Sequence, residues 1–290
     1  MPAEHLQLQI VDVRPPLSFG DLEVNMRTGL LTGRNVGYLG CVGRGGYLSG
    51  PSVIVIHFTA GPGDARKSIQ AMNQRRVSSH LVINRDGSIM QGVPFTRVAF
   101  HAGKGVWWHF HDNMNSNSIG IELCNLGPMW RNRKRELIDS YGIKRSERTT
   151  EWGTHKNAGK FDLKKLLDKN YDKVVAQGVE KPTLKDCEWE VFPDEQRWAV
   201  QRVCSLLVTR FPSIKHIIGH DDYAPERKID PGPALRLESL LSWVPSGRVI
   251  LYQDDHRRPG YTSSLDSTSY LRNLVTSRTF AAGNPGRDIA

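Results

Sequence analysis

A chain of 290 residues with 39 Lys and Arg against 30 Asp and Glu, formal charge +9, is long enough to bury a substantial core. No run of about 18 apolar residues occurs, which argues against a transmembrane helix and against stable membrane insertion. An isoelectric point near 9.5 favours an anionic partner, whether nucleic acid, a membrane surface or an acidic cell-wall polymer.

Four cysteines (Cys41, Cys124, Cys187, Cys204) show no C-x-x-C spacing and are sparse for a disulfide framework, so reduced and mostly buried thiols are expected. The N-terminus M-P-A-E-H-L-Q-L-Q-I-V-D-V-R lacks the basic start and apolar stretch of a secretory signal. The expectation is a chain that is cytoplasmic as synthesised and that leaves the cell only by phage lysis or a dedicated secretion apparatus.

Residues 1–50 are rich in glycine and read as an N-terminal extension of turns and short strands. P-S-V-I-V-I-H (Pro51 to His57) is a continuous β-branched run, the pattern of a strand buried on both faces. Asp64 then stands as the N-cap of a helix reaching about Arg76. S-S-H-L-V-I-N and S-I-M-Q-G-V-P flank Asp86-Gly87, a hairpin signal. S-I-G-I-E-L-C-N (Ser118 to Asn125) alternates Ile119, Ile121 and Leu123 with smaller or polar residues, so Glu122 points away from the apolar face.

Residues 128–193 are polar and basic, with thirteen Lys and Arg against seven Asp and Glu between Arg131 and Lys173. They read as an insertion, either a solvated segment with one or two helices or a basic surface that meets a substrate polymer. Beyond it, D-E-Q-R-W-A-V-Q-R-V-C-S-L-L-V-T-R-F places Ala199, Val203, Leu206, Leu207 and Phe211 at helical spacing. A strand K-H-I-I-G-H, a helix from about Ala234 to Trp243 and a Ser-, Arg- and Gly-rich C-terminal extension over 245–290 complete the reading.

His57 and His220 each end an apolar strand, where open α/β sheets build their sites. Asp230 lies in G-H-D-D-Y-A-P-E-R-K-I-D-P-G-P, a loop stiffened by Pro225, Pro231 and Pro233. Two imidazoles and a carboxylate suit Zn²⁺ with a fourth position left open, a catalytic rather than a structural set. Lys228, two residues before Asp230, projects to the same side of an extended chain and can stabilise a developing oxyanion.

The segments V-I-V-I-H-F-T-A-G, S-S-H-L-V-I-N-R-D-G-S-I-M-Q, V-A-F-H-A-G, N-S-I-G-I-E-L and I-G-H-D-D-Y-A-P-E-R-K-I-D-P-G-P occur in an order that resembles zinc-dependent N-acetylmuramoyl-L-alanine amidases of the type 2 amidase and peptidoglycan-recognition-protein family. The resemblance covers roughly Val53 to Gly127 and Trp189 to Leu241, and its closing motif is most similar to the cytoplasmic anhydro-muropeptide amidases and related phage amidases. It implies a mixed central β-sheet flanked by helices, an amidase domain over 51–244 carrying the insertion, and zinc held by His57, His220 and Asp230.

The same resemblance assigns Glu122 to activating the zinc water and Lys228 to stabilising the tetrahedral intermediate, with His101 of the H-A-G motif lining the substrate cleft. Phe58 and Phe100 depart from the residues common in relatives and are expected to alter substrate contacts. The implied reaction is hydrolysis of the amide between N-acetylmuramic acid and L-alanine in peptidoglycan or muropeptides. The alternatives are a non-catalytic peptidoglycan-binding module on the same fold, which usually lacks part of the metal set, and a nucleic-acid binder, for which no motif is present. Oligomeric state has no signature in the sequence.

Overall fold

The computed structural model describes residues 20–107, 110–146, 150–160, 162–185, 187–237, 240 and 250–251. Glu23–Asn25 (β1) and Leu30–Thr32 (β2) form a small antiparallel ribbon, followed by Val36–Tyr38 (β3) and Arg44–Tyr47 (β4). The β-branched run becomes Val53–Phe58 (β5), buried at all six positions. Helix Ala65–Arg75 (α1) starts where expected, because the Asp64 carboxylate accepts the Lys67 N–H at 2.8 Å.

Leu81–Ile83 (β6) and Ile89–Gln91 (β7) pair antiparallel across a turn in which Gly87 takes φ +79°, a conformation that costs glycine little. Arg97–Ala99 (β8) pairs with β4, Val106–Trp107 (β9) pairs with Phe110–His111 (β10), and Ser118–Leu123 (β11) enters the central sheet.

The insertion carries the two helices expected of it but is not simply solvated, because it also builds a sheet and contributes to the core. Pro128–Arg131 (β12), Leu137–Asp139 (β13), Lys144–Arg145 (β14), Thr150–Gly153 (β15) and Cys187–Glu190 (β16) form an antiparallel sheet in the order β14-β13-β12-β16-β15. Its helices, Leu163–Leu167 (α2) and Asn170–Ala176 (α3), are short. Trp130, Ile138, Leu163, Val174 and Trp189 belong to the same hydrophobic cluster as the central sheet, so this unit cannot be excised as a spacer. The charge that suggested a solvated surface is partly spent on pairs within the unit: Arg131 with Glu188, Arg145 with Asp139, Lys144 with Glu136.

Helix Asp194–Arg210 (α4) then covers one face of the main sheet, and His216–Gly219 (β17), the four-residue helix His220–Tyr223 (α5) and Ile250–Leu251 (β18) follow. The main sheet has seven strands in the order β18-β17-β5-β11-β6-β7-β3; its neighbours are parallel except β6 and β7, a mixed sheet as expected.

Val200, Val203, Leu206 and Leu207 of α4 cluster with Ile54, Ile56, Leu81, Ile83, Ile119 and Ile121. Each such side chain contributes roughly 1.5–3 kcal/mol on burial. Ala65 and Ile69 of α1 pack with Val82 and Cys124 on the opposite face. Helices thus flank both sides.

Strand β3 lies within 1–50 and β18 within 245–290, and they form the two edges of the main sheet. Two- and three-residue strands are too short to show a period, which is why these segments read as extensions. The helix expected near 234–243 falls partly outside the described residues, and the chain beyond Leu251 lies wholly outside them. All four cysteines are free and buried. Among the described residues no helix is long and apolar enough to cross a membrane.

Candidate metal centre and active site

Strands β17, β5 and β11 run parallel side by side, and their C-terminal ends deliver the site. Register pairs His57 with Glu122 and Ile56 with Gly219, so His220, the next residue, stands level with His57. The chain returns ten residues later, where the Asp221 N–H donates to the Asp230 carbonyl at 2.9 Å. His57 Nδ1 lies 2.8 Å from His220 Nδ1, and Asp230 Oδ2 lies 2.9 Å from both. All three residues are buried.

The protons of this triangle can be accounted for. The Met114 carbonyl can only accept, so the Ser118 hydroxyl donates to it at 2.6 Å. Ser118 Oγ therefore accepts from His101 Nε2 at 3.2 Å, which leaves His101 Nδ1 as the acceptor for His57 Nε2 at 3.0 Å. His57 then carries its proton on Nε2 and a lone pair on Nδ1. His220 Nε2 donates directly to the Ala102 carbonyl at 2.8 Å, which in the neutral ring places the lone pair on Nδ1.

Burial, with the neighbouring His220, lowers His57 to about 4 and keeps it neutral. Burial opposes ionisation of Asp230, but the two imidazoles outweigh it and hold the carboxyl well below its usual range. With both imidazoles neutral, two nitrogen lone pairs and a carboxylate oxygen converge with no proton between them. That arrangement is repulsive unless a cation sits between them.

The set fits a divalent ion of zinc type. Donors at about 2.0–2.1 Å from a tetrahedral centre stand roughly 3.3 Å apart, and the observed triangle is a few tenths of an ångström tighter. Ligating histidines commonly donate their other ring N–H to a carbonyl or similar acceptor, as both do here. No thiolate takes part, and three protein donors leave room for a fourth ligand.

Glu122 sits beside this group with its Oε2 buried and without a hydrogen-bond partner. Burial, reinforced by the charge of Asp230 and opposed by Lys228, pushes it up to about 8. A carboxyl that titrates near neutrality can both take and give a proton. Lys228 is half-buried, and its positive charge acts on both His57 and Glu122.

Other expectations change in detail. His101, expected to line the substrate cleft, is hydrogen-bonded between His57 and Ser118 and so props a candidate ligand. Its ring lies over β11, where only glycine leaves space: a Cβ on Gly120 would stand 2.5 Å from His101 Cγ. Phe58 is a correction. Strand alternation turns it away from His57 into the core, where it packs edge-on against Trp189 and is 8% exposed. Phe100 is exposed beside Gly45. His80 is structural, its ring nitrogens bonded to the Arg97 carbonyl and the Gly120 N–H at 3.0 Å each.

Several supporting residues escaped the sequence reading. Asn115 Oδ1 accepts the N–H groups of His101 and Ala102 at 3.0 and 2.8 Å, and Arg227 Nη2 donates to the Ala102 carbonyl at 2.7 Å. The H-A-G motif is thereby a brace, with one residue behind each candidate histidine. Asn115, Ser118 and Arg227 carry no spacing signal that could have revealed this.

Fold and site together define an α/β protein with a two-histidine, one-carboxylate centre at the carboxyl ends of parallel strands. The chain belongs to the N-acetylmuramoyl-L-alanine amidase family, Amidase_2, whose model matches residues 48–233. It is 28% identical over 183 residues to the 1,6-anhydro-N-acetylmuramyl-L-alanine amidase AmpD of Enterobacter cloacae, covering 62% of this chain and 65% of the relative.

With the N-acetylmuramoyl-L-alanine amidase AmiD of Escherichia coli (strain K12) it shares 25% identity over 213 residues, 69% of this chain and 57% of the relative. The match thus spans less than two thirds of the length of either relative. A solved selenomethionine derivative of AmpD superposes with a TM-score of 0.48 and 22% identity, over 77% of this chain and 99% of that one.

Proposed function

We propose that this chain hydrolyses the amide bond between the lactyl group of N-acetylmuramic acid and L-alanine in peptidoglycan or muropeptides, with one zinc ion held by His57, His220 and Asp230. The observation that carries the reading is the convergence of three candidate ligand atoms, 2.8–2.9 Å apart, beside Glu122, whose Oε2 is buried without a hydrogen-bond partner. Family membership supports the choice of scissile bond.

When bound, zinc supplies Lewis acidity, polarising the carbonyl and acidifying water. Glu122 takes the proton released by the attacking water and delivers it to the departing alanine amine, a role that its position level with His57 in the strand register suits. Lys228 balances the negative charge that develops on the carbonyl oxygen. His101 and Ala102 hold the two imidazoles in the tautomers that leave Nδ1 free.

A non-catalytic peptidoglycan binder on the same fold would need neither a complete donor set nor a carboxylate oxygen buried without a partner beside it. The deciding experiment incubates the zinc-loaded chain with soluble anhydro-muropeptide and with intact sacculi, and follows release of the stem peptide by mass spectrometry. Free peptide with an alanine amino terminus supports the reading. Binding to either substrate with no peptide released overturns it, and the ratio of the two rates identifies the substrate form.

A further inference from the structure

Both chain segments that carry His220 and Asp230 are gripped by the insertion. His155 Nε2 lies 3.0 Å from Asp221 Oδ2; because His155 Nδ1 accepts the Asn157 N–H at 3.0 Å, Nε2 bears the proton and donates. Asn157 Nδ2 donates to the Asp221 carbonyl at 3.1 Å. Lys156 Nζ reaches Asp222 Oδ1 at 2.6 Å and Asp221 Oδ1 at 3.2 Å. The other oxygen of Asp222 accepts the Gly219 N–H at 2.8 Å and closes the turn into α5.

The grip extends to the second segment. Asp221 donates its own N–H to the Asp230 carbonyl at 2.9 Å, so a single residue, adjacent to one candidate ligand, is tied to the other. Trp189 of β16 stacks on His155 at 5.9 Å and presses on Gly232, where a Cβ would stand 2.4 Å from the indole. Pro233 meets Gly153 of β15. His155, Asn157 and Asp221 are all buried.

We infer that the His155–Asn157 segment of the insertion is a positioning element for the metal ligands His220 and Asp230, fixing the separation of their donor atoms through Asp221. The inference rests on the zinc reading above. Buried Asp221 takes its side-chain partners from the insertion, and loss of a donor to a buried carboxylate leaves a desolvated charge that the local backbone must move to satisfy. The residue that would move is one peptide bond from His220. Outer partners of ligands characteristically change metal affinity tenfold to a hundredfold.

The test uses the full chain. Zinc affinity is measured by competition with a chromophoric chelator, the visible spectrum is recorded on the cobalt-loaded protein, and the metal-free melting temperature is followed in parallel. His155→Phe keeps a flat ring against Trp189 but has no donor; we expect zinc binding weaker by about tenfold or more, with shifted cobalt bands. His155→Gln, whose amide can donate to Asp221, restores most of the affinity.

Unchanged zinc affinity and cobalt bands in His155→Phe overturn the inference even if the melting temperature falls, since the role would then be structural only. Equal loss in both variants overturns it as well. Should His155→Phe not fold, Lys156→Met is read in the same assays, and wild-type affinity there overturns the inference. A wild-type chain that binds no zinc overturns the zinc reading itself, and so is distinguished from failure of the brace alone.

Discussion

Ser118 Oγ and the Met114 carbonyl, 2.6 Å apart, set the tautomer of a histidine two hydrogen bonds away. Because that carbonyl can only accept, each proton in the chain Ser118, His101, His57 has one direction, and His57 Nδ1 is left bare toward Asp230. Ser118→Ala removes the acceptor for His101 Nε2 and frees His101 to flip. Zinc affinity measured by titration calorimetry should fall by about tenfold, and an unchanged affinity would show that the direction of the chain does not matter.

One zinc ion should bind per chain, and His220→Ala should abolish stoichiometric binding, because two donors on opposite sides of a missing third cannot complete the triangle. Elemental analysis of the purified proteins measures this. Equal zinc in the variant and the parent would dismiss the assignment of His220.

Glu122→Gln keeps the shape of the side chain and removes the base. It should retain zinc while turnover on muropeptide falls by about a hundredfold or more. Near-parental turnover in a zinc-loaded variant would transfer the proton to another group.

The same residue makes a prediction about stability. Glu122 is raised from 4.5 to about 8 by burial, so between those values the folded chain binds more protons than the unfolded one and stability falls as pH rises. With metal removed by chelation, the parent should lose melting temperature relative to Glu122→Gln as pH goes from about 5 to about 8. Parallel pH profiles for the two proteins would show that Glu122 is not desolvated in this way.

Gly120→Ala tests the packing of His101 on β11. The added Cβ would lie 2.5 Å from His101 Cγ, so the ring must move away from His57. Stability should fall by about 1–3 kcal/mol in denaturant unfolding, and zinc affinity should fall with it. A variant as stable as the parent would mean that the ring has room the structure does not show.

Much of the site was legible because its signals are local. A β-branched run ending in a histidine reports a strand buried on both faces, alternation in S-I-G-I-E-L turns Glu122 out of the apolar side, and Asp64 caps a helix through its own nearby backbone. The strand-end patterns pointed to His57 and His220 and the alternation to Glu122, while the proline-stiffened loop pointed to Asp230 and Lys228. What lies over a given face is a different matter, since it is decided by residues distant in the chain.

Phe58 follows a candidate ligand in sequence yet belongs to the core, because Trp189, more than a hundred residues later, fills the space beneath it. The tautomers of His57 and His220 depend on Ser118 and Ala102. The fate of Asp221, unreadable within its own motif, depends on His155. The edges of the main sheet come from strands of two and three residues, whose pairing partners rather than their own periodicity define them. Composition and periodicity determined which residues could be ligands and which faces are apolar; tertiary packing alone decided which hydrogen-bond partners orient those ligands, because burial leaves each polar atom only the neighbours that the fold supplies.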